Sequence, residues 1–310
     1  MPRDSDFLRE ILVAHYPGIE IWGTAKESGQ RVVYFCRFRD FERPRSEENV
    51  SEFCCWSDWG DVVVKVGDGS NPSAVARSQQ EISVLKEISS PYYPTLCHFE
   101  LLTFDPSKDE PLSRKLYVTI EEKIVGRPLS ECLDSFKTES AVIKLLIDLV
   151  SGLNVLWSGG QKYVHRDIKP DNILVRDNGG IVIIDLGLLR ESGAKGVTAT
   201  IANIGPCTPA FASPEQAKNQ KLDISYKSDM FSIGVLAYTL LSGQNPFVTR
   251  DEISWEEVLA NVVSIAPPPL NSIANVSNGL SLIVEKLMEK EPYQRYRRPE
   301  RLFNDLRELL

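Results

Sequence analysis

One continuous string, His165-Arg166-Asp167-Ile168-Lys169-Pro170-Asp171-Asn172, most constrains what this chain can fold into. Two short apolar runs, 173–175 and 181–184, follow it on either side of a turn rich in Asp, Asn and Gly, and Asp185 comes next. Apolar runs that flank such a turn predict a β-hairpin. The hairpin would bring the side chains of Asp167, Asn172 and Asp185 to one cleft. Their hard oxygen ligands suit Mg²⁺, which usually completes its coordination with phosphate and water.

The string resembles the catalytic loop of the eukaryotic-type protein kinases, whose signature is His-Arg-Asp, four residues and Asn, followed by Asp-Phe-Gly. Leu186 stands where that family usually has Phe, and it can still pack as an apolar anchor. The resemblance implies that Asp167 is the base that accepts or orients the proton of a substrate hydroxyl. It also implies that Asn172 and Asp185 hold Mg²⁺, with Mn²⁺ as a substitute. Lys169 is typical of serine/threonine kinases and would stabilise the transferring phosphoryl group.

Composition limits the protein class and its partners. The chain has 310 residues, 35 of them basic and 43 acidic, for a net charge of −8, which argues against a nucleic-acid or anionic-membrane surface. The cysteines form no CxxC pair and have no regular spacing, so we expect reduced thiols rather than a zinc site or disulfides. The N-terminus lacks the apolar region of a signal peptide. No uninterrupted apolar run approaches the roughly 18 residues of a spanning helix. We therefore expect a cytoplasmic protein without a membrane span.

The sequence pattern changes from strand-rich to helix-rich about a third of the way along the chain. Strands are predicted over 19–22, 31–38, 61–66, 98–104 and 116–120. One helix is predicted to begin at Asn71 and Pro72, a capping residue followed by a proline suited to the first helical position. Later helices are predicted over 141–157, 229–241, 254–263, 280–288 and 299–310.

These elements predict an α+β protein with a small antiparallel β-sheet and one helix, followed by a larger, mainly α-helical body that carries the hairpin. The resemblance implies the two-lobed protein kinase fold for this arrangement. We assign residues 1–122 to the smaller lobe, with an inserted polar loop at about 39–58, and residues 123–310 to the larger lobe. Together the two lobes would form one protein kinase domain.

Lys65, near the end of a Val-rich strand, resembles the lysine that holds the α- and β-phosphates of ATP in this family. An acid on the following helix would pair with it. Glu81 has apolar neighbours that indicate an inward face, whereas Glu87 lies one turn from the helix end and more readily faces solvent. We therefore predict a pair between Lys65 and Glu81, with Glu87 as the alternative.

Further motifs resemble other parts of the kinase family. The segment 208–215, Thr-Pro-Ala-Phe-Ala-Ser-Pro-Glu, is similar to the end of an activation segment. Its Thr208 matches the threonine that serine/threonine kinases place beside the catalytic Asp and Lys. The resemblance implies a buried structural ion pair between Glu215 and Arg295. It also implies that Asp229 caps the backbone of the catalytic loop.

Arg166 predicts control by phosphorylation, because an arginine beside the base can bind a phosphate on the activation loop. Ser192, Thr198 and Thr200 lie in that segment, and we expect autophosphorylation between residues 192 and 200. The run 213–217 and the run Gly-Gln-Asn-Pro-Phe at 243–247 are especially similar to bacterial eukaryotic-like serine/threonine kinases.

The nucleotide lid departs from the family pattern G-x-G-x-x-G-x-V. The corresponding stretch has Gly23, Gly29 and Val32 as its candidate ATP-binding residues, so it has fewer glycines and a longer loop. Val63 also stands where an alanine usually contacts the adenine ring. These departures favour an alternative in which the protein binds nucleotide poorly or transfers no phosphate.

The resemblance as a whole implies a protein serine/threonine kinase that transfers the γ-phosphate of Mg·ATP to serine or threonine hydroxyls of proteins. The first alternative is a nucleotide-binding pseudokinase or scaffold. The second is a small-molecule phosphotransferase, which we rank last because proteins of that class ordinarily lack the Ser-Pro-Glu segment and the helix bearing Asp229.

Overall fold

A computed structural model describes residues 5–25, 31–38, 59–158, 163–191 and 207–310. Contacts divide the chain into two compact units, one made of Met1–Ser89 with Pro94–Ile124 and the other of Ser90–Tyr93 with Val125–Leu310. Five predicted features lie outside the described residues: the inserted loop at 39–58, Gly29 of the nucleotide lid, and the candidate phosphorylation sites Ser192, Thr198 and Thr200.

The first unit contains a five-stranded antiparallel sheet. Its strands are β1 (Ile19–Thr24), β2 (Arg31–Phe38), β3 (Asp61–Asp68), β4 (Leu96–Asp105) and β5 (Glu110–Glu122), in the order β1-β2-β3-β5-β4. Alternate residues point to opposite faces of a strand, and one face buries Tyr34, Val64 and Ile120 in a hydrophobic core.

A helix that the sequence analysis does not include, α1 (Ser5–His15), contributes Leu8, Ile11 and Leu12 to the same core. An isolated helix of this length is marginal in water. Its stability therefore depends on burying this apolar side against the sheet. Leu8, Ile11 and Leu12 stand at helical spacing, but no local pattern shows that the sheet is the surface they pack against.

The predicted helix between the strands is α2 (Pro72–Glu87). Asn71 caps it, because its side chain accepts hydrogen bonds from the backbone N–H groups of Ser73 at 3.0 Å and Ala74 at 3.2 Å. Glu81 is buried on the inward side of α2, while Glu87 is exposed. The helical period therefore assigns the inward acid as the apolar neighbours predicted.

The second unit is mainly helical. Its helices are α3 (Glu139–Ser158), α4 (Pro214–Ala217), α5 (Tyr226–Ser242), α6 (Trp255–Ser264), α7 (Asn278–Leu287) and α8 (Pro299–Arg307). Its short strands are β6 (Arg127–Pro128), β7 (Tyr163–Val164), β8 (Ile173–Val175), β9 (Ile181–Ile183) and β10 (Arg190–Glu191). The middle of the unit is a core to which α3 and α5 contribute Leu146, Leu149, Met230 and Phe231, all buried.

Helix α3 is the one described helix that is long and apolar enough to cross a membrane by length and composition, with 56% of its apolar window buried inside the protein. Polar residues are spaced along α3, so it contains no long uninterrupted apolar run. Burial of Leu146 and Leu149 in the core accounts for its apolar character.

The predicted hairpin is present and consists of β8 and β9. Ile173 pairs with Ile183 and Val175 with Ile181. One step beyond this ladder, the N–H of Ile184 donates to the carbonyl oxygen of Asn172 at 2.9 Å. The register therefore places Asn172 opposite Ile184, the residue directly before Asp185.

Candidate active site

Four predicted residues of the second unit form one hydrogen-bonded group, the Asp167 network: Asp167, Lys169, Asn172 and Thr208. The Thr208 hydroxyl donates to Oδ1 of Asp167 at 2.6 Å, and the Asn172 Nδ2 donates to Oδ2 at 2.9 Å. The ammonium of Lys169 lies 2.8 Å from Oδ2 of Asp167 and donates to Oγ1 of Thr208 at 2.8 Å. Two residues of its own loop, Lys169 and Asn172, and one residue 41 positions away, Thr208, therefore hold this carboxylate.

The electrostatics keep Asp167 ionised. Burial by itself raises the pKa of this carboxyl group, but hydrogen bonds from Lys169 and Thr208 and the positive charge of Lys169 outweigh burial, so the pKa of Asp167 lies below its usual value. Hydrogen bonds to the charged form and a nearby opposite charge act in this direction. The result is a nearly buried carboxylate that accepts a hydroxyl proton in a hydrogen bond.

Asp229, at the start of α5, holds the backbone of the loop that carries Asp167. Its Oδ2 accepts the N–H of His165 at 2.9 Å and its Oδ1 accepts the N–H of Arg166 at 2.8 Å, while the Trp157 Nε1 donates to Oδ2 at 2.9 Å. Arg166 has a φ of 72°, a left-handed conformation that is uncommon for residues other than glycine. The hydrogen bonds from the backbone N–H groups of His165 and Arg166 to the buried carboxylate of Asp229 stabilise this turn of the chain.

Asn172 and Asp185 are the predicted metal ligands, and their chemistry fits a divalent cation with oxygen ligands. Asn172 uses Nδ2 to donate to the carbonyl oxygen and to Oδ2 of Asp167, each at 2.9 Å, so its amide Oδ1 is the atom suited to a cation. Asp185 is exposed, has a φ of 64°, and accepts the N–H of Gly187 on Oδ1 at 3.2 Å. Within the described ranges no group of three or more His, Cys, Asp and Glu side chains could hold a metal. One amide and one carboxylate match an ion that takes its other ligands from phosphate and water.

The first unit brings the predicted Lys65 and Glu81 together and adds two residues that sequence reasoning missed. Lys65 Nζ lies 3.2 Å from Oε1 of Glu81 and 2.7 Å from Oε1 of Glu121. Arg31 Nη1 lies 2.6 Å from Oε2 of Glu81. We call Arg31, Lys65, Glu81 and Glu121 the Lys65 cluster. It contains two cations and two buried carboxylates.

The two acids of the cluster differ in their titration. Burial raises the pKa of Glu81, but the charges and hydrogen bonds of Lys65 and Arg31 outweigh it, so the pKa of Glu81 is lowered. Burial also raises the pKa of Glu121, and the negative charge of Glu81 adds to that effect against the opposing charge of Lys65, so the pKa of Glu121 is raised. As pH falls, Glu121 therefore takes up a proton before Glu81 does.

The sheet register corrects the prediction for Val32. Val32 pairs with the buried Val66 and packs against the core beneath α1, whereas Val33 pairs with Lys65. Because neighbouring residues of a strand face opposite sides, Val33 is the valine on the Lys65 side of the sheet. Gly23 lies in β1 opposite Phe35, and a Cβ added there would approach the Phe35 ring to 3.3 Å.

The structure brings Glu215 and Arg295 together in a buried, bidentate ion pair, with Nη1–Oε1 at 2.7 Å and Nη2–Oε2 at 2.9 Å. Ser213, which stands where alanine is commoner, begins α4 as part of a capping box with Gln216. The side chain of Gln216, which the sequence analysis did not assign, donates to the carbonyl oxygen of Arg166 at 2.9 Å. This contact joins the end of the predicted activation segment to the catalytic loop.

Arg166 and Arg190 lie close enough to affect each other electrostatically. Burial lowers the pKa of Arg166, and the positive charge of Arg190 lowers it further. Burial also lowers the pKa of Arg190. Arg190 of β10 pairs with Val164 of β7, two residues before Arg166, so two cationic side chains belong to this part of the catalytic loop and favour an anion there.

The two units contain the parts of the two-lobed protein kinase fold. The first unit has an antiparallel sheet with a Lys–Glu pair, and the second unit has a helical body with the catalytic hairpin. The predicted fold class is therefore confirmed. The sequence pattern of the protein kinase domain family matches residues 60–305, and the chain belongs to that family. The matched region begins directly before β3, so α1, β1 and β2 precede it.

The chain is similar to several bacterial serine/threonine-protein kinases. It is 33% identical to Pkn1 of Myxococcus xanthus over 181 residues, 57% of this chain and 25% of that protein. It is 28% identical to PknB of Mycolicibacterium smegmatis over 255 residues, 79% of this chain and 38% of that protein. It is 40% identical to PknL of Mycobacterium tuberculosis over 114 residues, 37% of this chain and 27% of that protein. The chain thus spans well under half the length of these curated relatives.

Proposed function

We propose that this chain is a protein serine/threonine kinase that transfers the γ-phosphate of Mg·ATP to the hydroxyl groups of serine and threonine in protein substrates. The observation that carries the proposal is the Asp167 network, in which a buried, ionised carboxylate accepts a hydroxyl hydrogen bond at 2.6 Å beside an ammonium at 2.8 Å. Membership of the family implies ATP, a divalent metal ion and protein substrates in general. The choice of Mg²⁺, with Mn²⁺ as a substitute, and of serine and threonine as acceptors is part of the proposal.

Phosphoryl transfer asks a protein mainly to position the reactants and to stabilise charge. Asp167 would accept or orient the proton of the incoming hydroxyl, as it already does with the hydroxyl of Thr208. Lys169 would stabilise the negative charge of the transferring phosphoryl oxygens, because its ammonium lies beside the same carboxylate. Asp167 and Lys169 would thus act at the same hydroxyl group, as both now contact the hydroxyl of Thr208.

A bound Mg²⁺ would neutralise charge on the phosphate oxygens. Asn172 would hold it through its amide Oδ1, since Nδ2 is engaged with Asp167, and Asp185 would hold it through its carboxylate. Lys65 would bind the α- and β-phosphates, with Glu81 orienting its ammonium through the contact at 3.2 Å.

The proposed activity is tested by incubating the purified chain with Mg·ATP labelled in the γ-phosphate and a generic basic protein, followed by phosphoamino-acid analysis. We expect label on serine or threonine of the basic protein. Binding of ATP without transfer to any protein would contradict the proposal and favour a nucleotide-binding pseudokinase. Transfer to a small molecule alone would favour the phosphotransferase alternative.

We further propose that phosphorylation of residues between 192 and 200 regulates this activity through Arg166 and Arg190. The support is that Arg190 pairs with Val164, two residues before Arg166, and that the positive charge of Arg190 lowers the pKa of Arg166, an effect that a phosphate beside them would offset. Incubation with Mg·ATP, intact-mass measurement and peptide mapping should locate added phosphate in that segment. Phosphate confined to other segments, or absent, would contradict this proposal.

A further inference from the structure

Glu121 is a buried acid of β5 to which the proposed function assigns no role. In the sheet, Lys65 of β3 pairs with Thr119, and Val63 pairs with Glu121. Residues two positions apart point to the same face of a strand, so Lys65 and Glu121 are diagonal neighbours on one face. Long side chains reach across such a diagonal, and here Nζ and Oε1 are 2.7 Å apart.

Lys65 therefore contacts two carboxylates among the residues that the structure describes, and the contact with Glu121 is the shorter one, 2.7 Å against 3.2 Å for Glu81. The two acids are unequal, because Glu81 also binds Arg31 at 2.6 Å. Glu81 thus keeps a cation when Lys65 moves toward another anion. Glu121 depends on Lys65 far more, since it is buried and close to the negative charge of Glu81.

An ammonium group has three donors, and two of the directions around Lys65 are taken by carboxylates. A phosphate oxygen at Lys65 would bring a third anion into a buried group that already holds two. Like charges at such distances repel, and the low dielectric of the interior strengthens the repulsion. This repulsion destabilises the ionised form of Glu121 more than that of Glu81, because Glu81 keeps Arg31 as a partner.

We propose that Glu121 is a positioning residue that competes with nucleotide phosphate for the Lys65 ammonium and thereby lowers the affinity for ATP. The proposal rests on the proposed function, because it takes a nucleotide phosphate as the ligand of Lys65. Under this proposal, a neutral residue at position 121 would raise the affinity for ATP.

The competition should depend on pH. When Glu121 is protonated, its neutral carboxyl group no longer competes with phosphate for the Lys65 ammonium, so affinity is highest at low pH and falls as pH rises through the raised pKa of Glu121. By reciprocity, nucleotide binding should draw a proton onto Glu121.

Other ionisable or charged groups near this side of the sheet are Arg31 of β2, Lys65 of β3, Arg77 and Glu81 of α2, and Tyr117 of β5. His98 and Glu100 of β4 contact Tyr16, whose ring lies in the core beneath α1.

The test compares wild type with Glu121→Gln, which keeps the shape and removes the charge, and with Glu121→Asp, which keeps the charge. Glu110→Gln is the matched control, because it removes one exposed acid from the same strand. We expect Glu121→Gln to bind Mg·ATP about tenfold more tightly than wild type at mildly alkaline pH, an ordinary size for coupling between two sites. The ratio of the two Kd values should approach one at mildly acidic pH. Glu121→Asp should keep a pH dependence, and Glu110→Gln should match wild type.

A second readout does not involve nucleotide. Brief acetylation with acetic anhydride, followed by peptide mass spectrometry, reports how readily the Lys65 amine reacts. Loss of the Glu121 carboxylate should raise acetylation of Lys65 several-fold, because the ammonium loses a stabilising partner. The thermal midpoints of all variants verify that they are folded.

The outcomes separate this inference from the proposed function. Unchanged acetylation in Glu121→Gln, or raised acetylation with an unchanged Kd for Mg·ATP, would overturn the competition while leaving a kinase that binds ATP. If wild type binds no ATP although Lys65 acetylation responds to Glu121, the proposed function fails, and the competition for nucleotide fails with it.

Discussion

Replacing Asp167 by asparagine should lower the rate of phosphoryl transfer by about 10²- to 10⁴-fold, the usual contribution of a positioned acid–base group. Asparagine has the same shape but cannot accept the proton of a substrate hydroxyl. Its amide would also remove the negative charge that now lies 2.8 Å from the Lys169 ammonium. Transfer of γ-labelled phosphate to a generic basic protein measures the effect under saturating Mg·ATP.

Asp171→Asn is the control for this substitution. Asp171 belongs to the same loop and is exposed, and it accepts only a hydrogen bond from Ser130 at 3.0 Å among the described contacts. This variant should transfer phosphate at the wild-type rate. Equal rates for wild type and Asp167→Asn would show that Asp167 is not the base. Nucleotide binding should remain in both variants, because Lys65 and Glu81 are untouched.

The second large effect is expected at the buried pair of Glu215 and Arg295. Arg295→Met should lower the free energy of unfolding by about 3–5 kcal/mol, the usual cost of leaving one member of a buried ion pair without its partner. The carboxylate of Glu215 would retain the hydroxyl of Ser228 at 2.6 Å as a partner. Urea unfolding at neutral pH, monitored by tryptophan fluorescence, measures the change.

Two comparisons make this stability prediction specific. Arg250→Met breaks an exposed pair with Glu257 and should change stability little, since exposed pairs contribute weakly. The double variant Glu215→Leu with Arg295→Met should recover part of the loss, because it removes the stranded charge. Recovery should be incomplete, since Arg295 also donates to the carbonyl oxygens of Glu289, Lys227 and Lys290. A loss in Arg295→Met no greater than in Arg250→Met would contradict the prediction.

The same pair predicts a pH dependence of stability. Burial alone would raise the pKa of Glu215, but Arg295 and Ser228 outweigh it, so its pKa in the folded protein lies below the usual 4.5. A lowered carboxyl pKa contributes stability that is fully present above the unfolded value and is lost as pH falls through the folded value. The wild type should therefore lose this contribution on acidification below about pH 4.5. Arg295→Met should show a smaller loss over that range.

Local sequence patterns were sufficient to predict the hairpin and the inward acid of α2. The turn after Val175 and the β-branched runs on both sides define the hairpin, and its register then brings Asn172 to Ile184. The apolar neighbours of Glu81 lie at helical spacing, so one face of α2 must be buried whatever it packs against. In both cases the information lies within a few residues, because the period of a strand or a helix is a local property.

Local patterns could not predict the choice between Val32 and Val33. A shift of one residue in register moves a side chain to the opposite face of a sheet, and the register of β2 on β3 is set by the core that Tyr34, Val64 and α1 form together. The lid has fewer glycines and a longer loop than the family pattern, so its spacing does not indicate which valine faces Lys65.

The sequence by itself determined the Asp167 loop, the hairpin and the inward face of Glu81, because each of these depends on contiguous residues or on a local period. The pairing of Lys65 with Glu81 was implied by the resemblance to the kinase family. Only the tertiary structure decided that Glu121 and Arg31 join Lys65 and Glu81. These residues come from four separate elements, and 56 positions separate Lys65 from Glu121 along the chain. Strand pairing brings them within 2.7 Å, and the balance of charge at Lys65 exists only after the sheet and α2 have packed.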